Sequence, residues 1–183
     1  KKLYLFFYSL PASVIAVPII PIYLYIPTFY GIELGLGLAA TGTLLMIARI
    51  LDTFSDPVIG FVSDRINLGK SLRKPWIIIG ALIAGLGLYE VLHPPLINLQ
   101  AHLLIWTIVL YTGWTMVSIP YQAWGAELSD DYHERTTLTS CREIFSLLGV
   151  LSIGCIIAFF TTRGMNNGEV LSIIAWLAIG LGL

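Results

Sequence analysis

Long apolar segments separated by short polar links make up this chain. A helix of about 20 apolar residues, rising 1.5 Å per residue, crosses the roughly 30 Å hydrocarbon core of a bilayer. The pattern predicts six such spans, at about residues 3–30, 38–62, 75–92, 103–126, 141–160 and 170–183, the last of which stops within an apolar run. We therefore expect an all-α integral membrane protein, present here as a fragment built of one six-helix bundle.

Composition supports a membrane protein rather than a soluble one. Of the 183 residues, 57% are hydrophobic and 11% are charged, whereas soluble domains carry about 25% charged residues. Mean hydropathy is +0.84. The net charge of −1 gives no reason to expect a nucleic-acid partner. Cys141 and Cys155 lie roughly 21 Å apart along one predicted helix and cannot form a disulfide.

The basic residues predict the orientation of the chain. Seven of them fall on one side of the predicted spans, and Arg163 alone falls on the other. By the positive-inside rule, the N-terminus and the loops after spans two and four are cytoplasmic. We expect the location to be a bacterial inner (plasma) membrane. The seven are Lys1, Lys2, Arg65, Lys70, Arg73, Lys74 and Arg135.

Prolines and glycines mark the packing of spans one and three. Span one contains Pro11, Pro18, Pro21 and Pro27, and each interior proline removes a backbone hydrogen bond, which predicts a kinked helix. Two interpretations stay open: proline is common in membrane helices, or these prolines serve a gate or a cavity. In span three, Gly80, Gly85 and Gly87 favour close helix packing.

Three charged residues lie within span two, where an ionisable side chain costs about 2.5 to 3.5 kcal/mol on insertion scales. Asp52 and Asp56 are four positions apart and Arg49 precedes Asp52 by three, so all three share one helix face. Two carboxylates so close repel each other unless a cation or Arg49 neutralises them. The pattern indicates a site for Na⁺ or H⁺, with Pro57 freeing a further carbonyl oxygen. The alternative is an Arg–Asp pair that only locks helices together.

The cytoplasmic end of span two has a different character. Asp64 stands at a helix C-terminus, where the macrodipole disfavours an acid, so we expect it to contact basic residues or the N-terminus of another helix. With Arg65 and Arg73, the loop is a candidate latch that favours one conformation. A loop whose basic residues only set the topology explains those residues equally well.

Spans four and five supply polar candidates for a solute site. Thr112, Thr115 and Ser118 are three apart on one face, although such hydroxyls often bond their own backbone. Arg142, at the entry to span five, either extends to the cytoplasm or reaches into a cavity. Aromatic and amide groups that could pack on sugar rings are Trp114, Tyr121, Gln122 and Trp124.

Together these motifs resemble a known family. RILDTFSDPVIGFVSDR with GKSLRKPWI, then YTGWTMVSIPYQAWGAEL with SDDYHERTTL, then CREIF, are similar to the N-terminal half of the glycoside-pentoside-hexuronide:cation symporters. These form the melibiose-permease-like branch of the major facilitator superfamily. The resemblance implies a six-helix N-terminal bundle of two inverted three-helix repeats, and a missing C-terminal bundle that completes the cavity.

The resemblance also implies roles for individual residues. Asp52 and Asp56 match the carboxylates that hold the coupling cation, while Ser55 and Thr115 match positions beside that cation. Arg49 matches an arginine of the same helix motif, and Arg142 an arginine of the sugar site.

The chain departs from the galactoside carriers of that family at three sugar-contacting positions. Ser118 replaces an aspartate before the Ile-Pro pair, and Gln122 replaces an aromatic residue after it. An acidic residue expected in helix one aligns near Ala16. The cation pair is kept, so the resemblance supports cation coupling more strongly than a galactoside substrate.

We therefore expect a secondary transporter that moves a sugar, glycoside or related small polar solute with Na⁺ or H⁺ by alternating access, and that uses no cofactor. The expected partners are the solute, the lipid bilayer and the missing bundle. The alternatives are a carrier of a lipid-like or other non-sugar solute, and a helical scaffold or receptor that transports nothing. An enzyme is not expected, because the sequence has no HExxH, no GxSxG and no spaced Cys/His metal set.

Overall fold

Helices form the regular structure of the chain. The computed structural model describes residues 2–65, 74–95, 97–128, 131–165 and 167–182. The elements are α1 (Lys2–Ala16), a π-helical segment π1 (Pro21–Tyr25), the short α2 (Ile26–Thr28), a second π-helical segment π2 (Phe29–Glu33), α3 (Leu38–Arg65), α4 (Lys74–Leu92), α5 (Leu99–Glu127), α6 (Tyr132–Thr162) and α7 (Asn167–Gly182).

The first predicted span is irregular, as its prolines indicate. Helix α1 continues through Pro11 and ends at Ala16, and π geometry begins at Pro21. Proline has no N–H for the usual bond to the fourth residue before it, and in π1 and π2 the bonds reach one residue further, as in Leu34 N–H to the Phe29 carbonyl at 2.9 Å. The fully buried Tyr30 donates its hydroxyl to the Val91 carbonyl of α4 at 2.7 Å. This bond fixes the irregular segment against α4.

A glycine-containing link leads from π2 into α3. Gly35 and Gly37 have φ angles of 72° and 87°, in the left-handed region that favours glycine. The Gly37 carbonyl then accepts both the backbone N–H and the hydroxyl of Thr41, each at 3.0 Å. The reversal of chain direction between the first two spans therefore depends on these glycines.

Helices α4 and α5 pack closely through small residues. A Cβ atom added to Gly80 would lie 2.7 Å from Met116 Cβ, one added to Gly87 would lie 2.7 Å from the Leu110 backbone, and one added to Gly113 would overlap the Ala84 backbone nitrogen. In a bilayer, where lipid is as apolar as a side chain, such close backbone approach is a main source of helix association. Gly80 and Gly87 thus have the packing role that the sequence predicts.

Other helix pairs complete the bundle. Helix α6 packs along α1, where Gly149 faces the backbone of Ser13, and α3 packs along α5, while α7 packs on α4. Among the described residues, four helical stretches are long and apolar enough to span a membrane: Leu5–Glu33, Lys74–Leu92, Leu99–Glu127 and Tyr132–Thr162. Gly168–Ala178 is a shorter apolar stretch. Helix α3, which carries the charges of predicted span two, is 28 residues long.

Helix α6 begins nine positions earlier than the apolar pattern predicts. The segment that the sequence assigns to a polar loop is already helical from Tyr132. Asp131 caps this helix, accepting the His133 N–H at 3.3 Å. The Thr136 and Thr137 hydroxyls bond to backbone carbonyls one turn earlier. Polarity alone does not indicate where the helix begins, because a capped helix can extend beyond the apolar region.

Candidate functional site

Helix α3 brings Arg49, Asp52 and Asp56 to one face, as their spacing predicts. Arg49 Nη1 donates to Asp52 Oδ2 at 2.8 Å. Asp52 is 6% exposed, Asp56 is half-buried and the Arg49 side chain is largely exposed. The ion pair itself lies within one helix, so a link from it to a second helix requires further contacts.

The link between helices comes from Thr115 of α5. Its Oγ1 atom lies 3.1 Å from Asp52 Oδ1 and 2.8 Å from Asp56 Oδ1. A hydroxyl has one hydrogen to donate, so Thr115 cannot form a full hydrogen bond to both carboxylates at once. Three oxygen atoms from two helices therefore converge at this point, and the single hydroxyl hydrogen of Thr115 faces two carboxylate acceptors.

The formal charges of the two carboxylates and the guanidinium sum to less than zero. Arg49 balances one carboxylate, and Asp56 leaves one negative charge in excess. Tyr111, one turn before Thr115 on α5, places its ring 5.6 Å from the Arg49 guanidinium carbon, within the range of a cation–π contact. Thus α5 contacts the acids through Thr115 and the base through Tyr111.

Neighbouring hydroxyls behave differently from Thr115. Ser55 donates to the Asp52 backbone carbonyl at 2.9 Å, and Thr112 donates to the Ile108 carbonyl of its own helix at 2.8 Å. The Ser118 hydroxyl is buried and has no hydrogen-bond partner among the described residues. Of these hydroxyls, Thr115 is the one whose bonds reach the two carboxylates.

The predicted metal ligands are the carboxylates of Asp52 and Asp56, and both lie beside the Thr115 hydroxyl. The described part of the chain holds no group of three or more His, Cys, Asp or Glu side chains able to bind a metal ion. The donor set present consists of hard oxygens, which bind hard cations such as Na⁺ and do not select transition metals.

A second polar cluster contains Arg142 and Tyr121 from the predicted solute site. The Tyr121 hydroxyl donates to the Tyr8 carbonyl of α1 at 2.6 Å, and the two rings stack with centroids 5.1 Å apart. Arg142 donates to Glu143 at 2.6 Å and lies near the Tyr8 hydroxyl. The Arg142 side chain is 18% exposed, and it does not line the apolar groove described below. Its reach into a cavity stays a prediction. Gln122 is exposed.

Tyr8 is a residue that the sequence does not reveal as part of this cluster. It stands in an apolar segment, 113 positions from Tyr121, and no spacing connects the two. A Cβ atom added to Gly125 would overlap the Tyr8 hydroxyl. Because Gly125 has no side chain, the Tyr8 ring of α1 can pack against α5 at this position.

The predicted latch lies largely outside the described residues. Arg73 is one of residues 66–73, which lie outside the described part of the chain, and the Asp64 side chain is also outside it. Arg65 is described, and its guanidinium carbon lies 4.2 Å from the centre of the Phe61 ring. Control of conformation by Asp64, Arg65 and Arg73 stays a prediction.

An apolar groove of about 830 Å³ lies apart from the Asp52 and Asp56 site. Side chains of α1, α4, α5 and α7 form its walls, and Lys74 stands among them. Its lining is mostly apolar, and it includes Trp114, Tyr121 and Trp124, three of the four residues that the sequence indicates could pack on sugar rings. Neither carboxylate of the proposed cation site contributes to it.

Comparison with known proteins places the chain in a family. The profile of the MFS/sugar transport protein family matches residues 7–183. The chain belongs to this family. Membership confirms the resemblance to the glycoside-pentoside-hexuronide:cation symporters and the all-α membrane transporter fold.

Individual relatives of this family are bacterial and animal proteins. The chain is 28% identical over 169 residues to the inner membrane symporter YicJ of Escherichia coli, covering 85% of the chain and 36% of that protein. It is 29% identical over 168 residues to the isoprimeverose transporter of Lactiplantibacillus pentosus, covering 86% and 33%. It is 26% identical over 113 residues to the sodium-dependent lysophosphatidylcholine symporter 1-B of Danio rerio, covering 59% and 21%.

The chain thus spans about a third of the length of the bacterial relatives. Named symporters and transporters among the relatives agree with the expectation that the protein is not an enzyme. The helices and the family together make it an integral membrane protein.

Proposed function

We propose that this chain is the N-terminal bundle of a secondary transporter that carries a sugar, glycoside or related small polar solute together with Na⁺ or H⁺. The observation that carries the proposal is the convergence of the Asp52 and Asp56 carboxylates on the Thr115 hydroxyl. The family and its named symporters support transport. An acidic pair in which Asp52 is buried and Asp56 half-buried supports the use of a coupling ion.

Electrostatics explains why this arrangement favours a cation. The two carboxylate oxygens lie no more than about 6 Å apart, because both are within hydrogen-bonding distance of one oxygen. At about 5 Å and an effective dielectric constant near 20, two like charges repel by about 3 kcal/mol. Arg49 offsets part of this repulsion from one side only. A cation between the three oxygens removes the rest.

The proposed cycle uses this charge balance. A proton on a carboxyl group, or Na⁺ held by the three oxygens, neutralises the acids and favours solute binding and rocking of one bundle against the other. The Arg142, Tyr121 and Tyr8 cluster, with Ser118 and Gln122, is proposed to contact the solute. The proposed orientation has the N-terminus in the cytoplasm and, for a bacterial protein, the inner membrane as the location.

The test is uptake by the natural full-length protein reconstituted in liposomes. Imposed Na⁺ and H⁺ gradients are compared for the wild type, Asp52→Asn and Asp56→Asn, with Thr112→Val as a control because its hydroxyl bonds its own helix. We expect one gradient to drive accumulation in the wild type and the control, and neither acid variant to accumulate solute. Equal gradient-driven accumulation in both acid variants would exclude the proposed coupling site.

The solute class is tested in the same vesicles by competition. Hexosides, pentosides, hexuronides and polyols compete for uptake, and the competing class identifies the natural solute. We expect Arg142→Gln to raise the apparent KM for the solute and leave the apparent affinity for the cation unchanged. A change in cation affinity alone would remove Arg142 from the solute site.

A lipid-like solute is the second candidate, and a specific finding supports it. One relative is named a sodium-dependent lysophosphatidylcholine symporter, so the same family includes a named carrier of an amphipathic solute. Competition by lysophospholipids below their micellar concentration, without competition by sugars, would favour this candidate. A scaffold or receptor predicts no gradient-driven uptake of either class.

A further inference from the structure

The apolar groove beside α4 has a charged end. Its volume of about 830 Å³ lies in the range of ligand pockets, about 300 to 1,000 Å³. Of the lining residues in the described part of the chain, Lys74 alone carries a charge. Lys74 is the first residue of α4, and its side chain is exposed. The groove therefore combines a cation at one end with a mostly apolar interior.

An exposed apolar stripe on α4 continues from this cation. Ile78, Leu82 and Leu86 follow Lys74 at intervals of four, so the four residues share one helix face. The three apolar side chains are between 52% and 60% exposed, and all of them line the groove. From Lys74 to Leu86 the helix rises about 18 Å, which exceeds half of a hydrocarbon core about 30 Å thick. An apolar tail that starts beside Lys74 can therefore follow the groove through one whole leaflet.

Aromatic rings of α5 and α7 also line the groove. Helices α4 and α5 run antiparallel, so Trp124, near the end of α5, lies at the same end of the groove as Lys74. Tryptophan is enriched at the boundary between membrane and water. At the far end, the Tyr89 and Trp176 rings meet edge to face with centroids 5.9 Å apart. The charged end of the groove thus has the composition of a membrane interface.

We propose that this groove binds one anionic phospholipid of the cytoplasmic leaflet, with its phosphate at Lys74 and an acyl chain along Ile78, Leu82 and Leu86. The cytoplasmic leaflet carries anionic lipids, which attract basic residues at the membrane surface. The inference rests on the proposed orientation of the chain and is independent of the coupling ion, because neither carboxylate of the proposed cation site lines the groove. The lipid is a bound partner and not the transported solute.

Other occupants match the groove less well. A helix of the C-terminal bundle, or of a second copy, would have to place an acid of its own beside Lys74 at the membrane surface. A sugar would lie against the apolar stripe, and the Tyr121 hydroxyl in the lining already donates its hydrogen to the Tyr8 carbonyl. A phospholipid matches both features, because its negative charge and its apolar chain belong to one molecule.

The experiment measures lipid binding to the natural full-length protein by native mass spectrometry, after the lipid has been removed in a neutral detergent. Phosphatidylglycerol and phosphatidylcholine with identical oleoyl chains are titrated separately, and the same spectra report the oligomeric state. Glycerol phosphate is added as a competitor that has the headgroup charge without the chain. Methyl hexosides, methyl pentosides and hexuronides are added as sugar competitors.

Two kinds of variant test the two parts of the groove. Lys74→Gln removes the charge and Lys74→Arg keeps it, with Arg135→Gln as the control at an exposed basic residue outside the groove. Ala81→Phe fills space in the lining. Its control is Ala101→Phe, which adds the same bulk at an exposed position of α5 outside the groove.

We expect the wild type to bind one phosphatidylglycerol molecule about fivefold more tightly than phosphatidylcholine, the preference that one basic residue near an anionic lipid provides. Lys74→Gln should lose this preference, whereas Lys74→Arg and Arg135→Gln should keep it. Ala81→Phe should weaken the binding of both lipids, and Ala101→Phe should weaken neither. If Ala81→Phe does not fold, the result at the exposed Lys74 position decides.

Several results would overturn the proposal. Equal binding of the two lipids by the wild type, or an unchanged preference in Lys74→Gln, would remove the headgroup contact. Displacement of the lipid by glycerol phosphate would indicate a site for free phosphate, and displacement by a sugar would indicate a solute site. A monomer that binds no lipid would have its groove covered by the C-terminal bundle, and a dimer that binds none would have it covered by the second copy.

Failure of the proposed function has a different signature. If Asp52→Asn and Asp56→Asn keep gradient-driven uptake, the coupling site is wrong, and the lipid preference in the mass spectra is unaffected. If the preference is absent while both acid variants lose uptake, the lipid groove is wrong and the coupling site stands.

Discussion

Replacing Thr115 by valine removes one oxygen atom from the centre of the proposed site and keeps the side-chain shape. The wild-type hydroxyl contacts carboxylate oxygens at 2.8 and 3.1 Å. Hydrogen bonds to charged groups contribute about 1.5 to 3 kcal/mol, whereas neutral interhelical bonds in membranes average about 0.6 kcal/mol. Because the acceptors here are carboxylates, we expect Thr115→Val to lower the unfolding free energy by about 1.5 to 3 kcal/mol in buffer without Na⁺ or Li⁺.

The assay is a denaturant titration of the natural full-length protein in micelles. Thr112→Val is the matched control, because it makes the same substitution three positions away on α5, at a hydroxyl that bonds the Ile108 carbonyl. We expect its cost to stay within about 0.5 kcal/mol. Thr115→Ser, which keeps the hydroxyl, should retain most of the lost stability. Equal costs for the two valine variants would refute the view that Thr115 joins α5 to the α3 carboxylates.

Three further outcomes are expected. Gly113→Ala should destabilise the protein by about 1 to 3 kcal/mol in the same titration, because the added methyl group overpacks α4 against α5. Gly42→Ala should not destabilise it, because the added Cβ would meet no atom within 4 Å. Equal effects of the two substitutions would contradict the close packing of α4 and α5. Tyr30→Phe should cost about 0.5 to 1.5 kcal/mol by removing the 2.7 Å bond to the α4 backbone, and no loss would show that this bond does not stabilise the irregular first span. Ser55→Ala should weaken the cation-induced rise in melting temperature less than Thr115→Val, because the Ser55 hydroxyl donates to a backbone carbonyl; a larger effect would make Ser55 a direct ligand.

Local rules allowed the sequence to predict much of α3. Spacings of three and four place Arg49, Asp52 and Asp56 on one helix face whatever the rest of the chain does. The same spacing makes an Arg49–Asp52 ion pair possible, and the structure contains it at 2.8 Å. Apolar length predicts helices in the membrane, and proline content predicts the irregular first span.

The helix boundaries and the hydrogen-bond partners of the hydroxyl groups were less predictable from the sequence. A hydroxyl can donate to a carbonyl of its own helix or to an acceptor on another helix, and the sequence does not decide between them. Thr112 and Thr115 are the same residue type on the same helix, yet the first bonds its own backbone and the second bonds Asp52 and Asp56. The outcome depends on which side of α5 faces α3. Helix α6 begins early because Asp131 caps it, an interaction that hydropathy does not register.

By itself, the sequence determined that this is a helical membrane protein with two acids and one base sharing a face of one helix, because periodicity and solvation are local properties of a chain in a bilayer. The tertiary structure decided which groups those charges contact. Thr115 and Tyr111 reach α3 from positions about 60 residues further along the chain, and Tyr8 reaches Tyr121 across 113 positions. Such contacts depend on close packing of α5 against its neighbours, which no spacing within a single helix encodes.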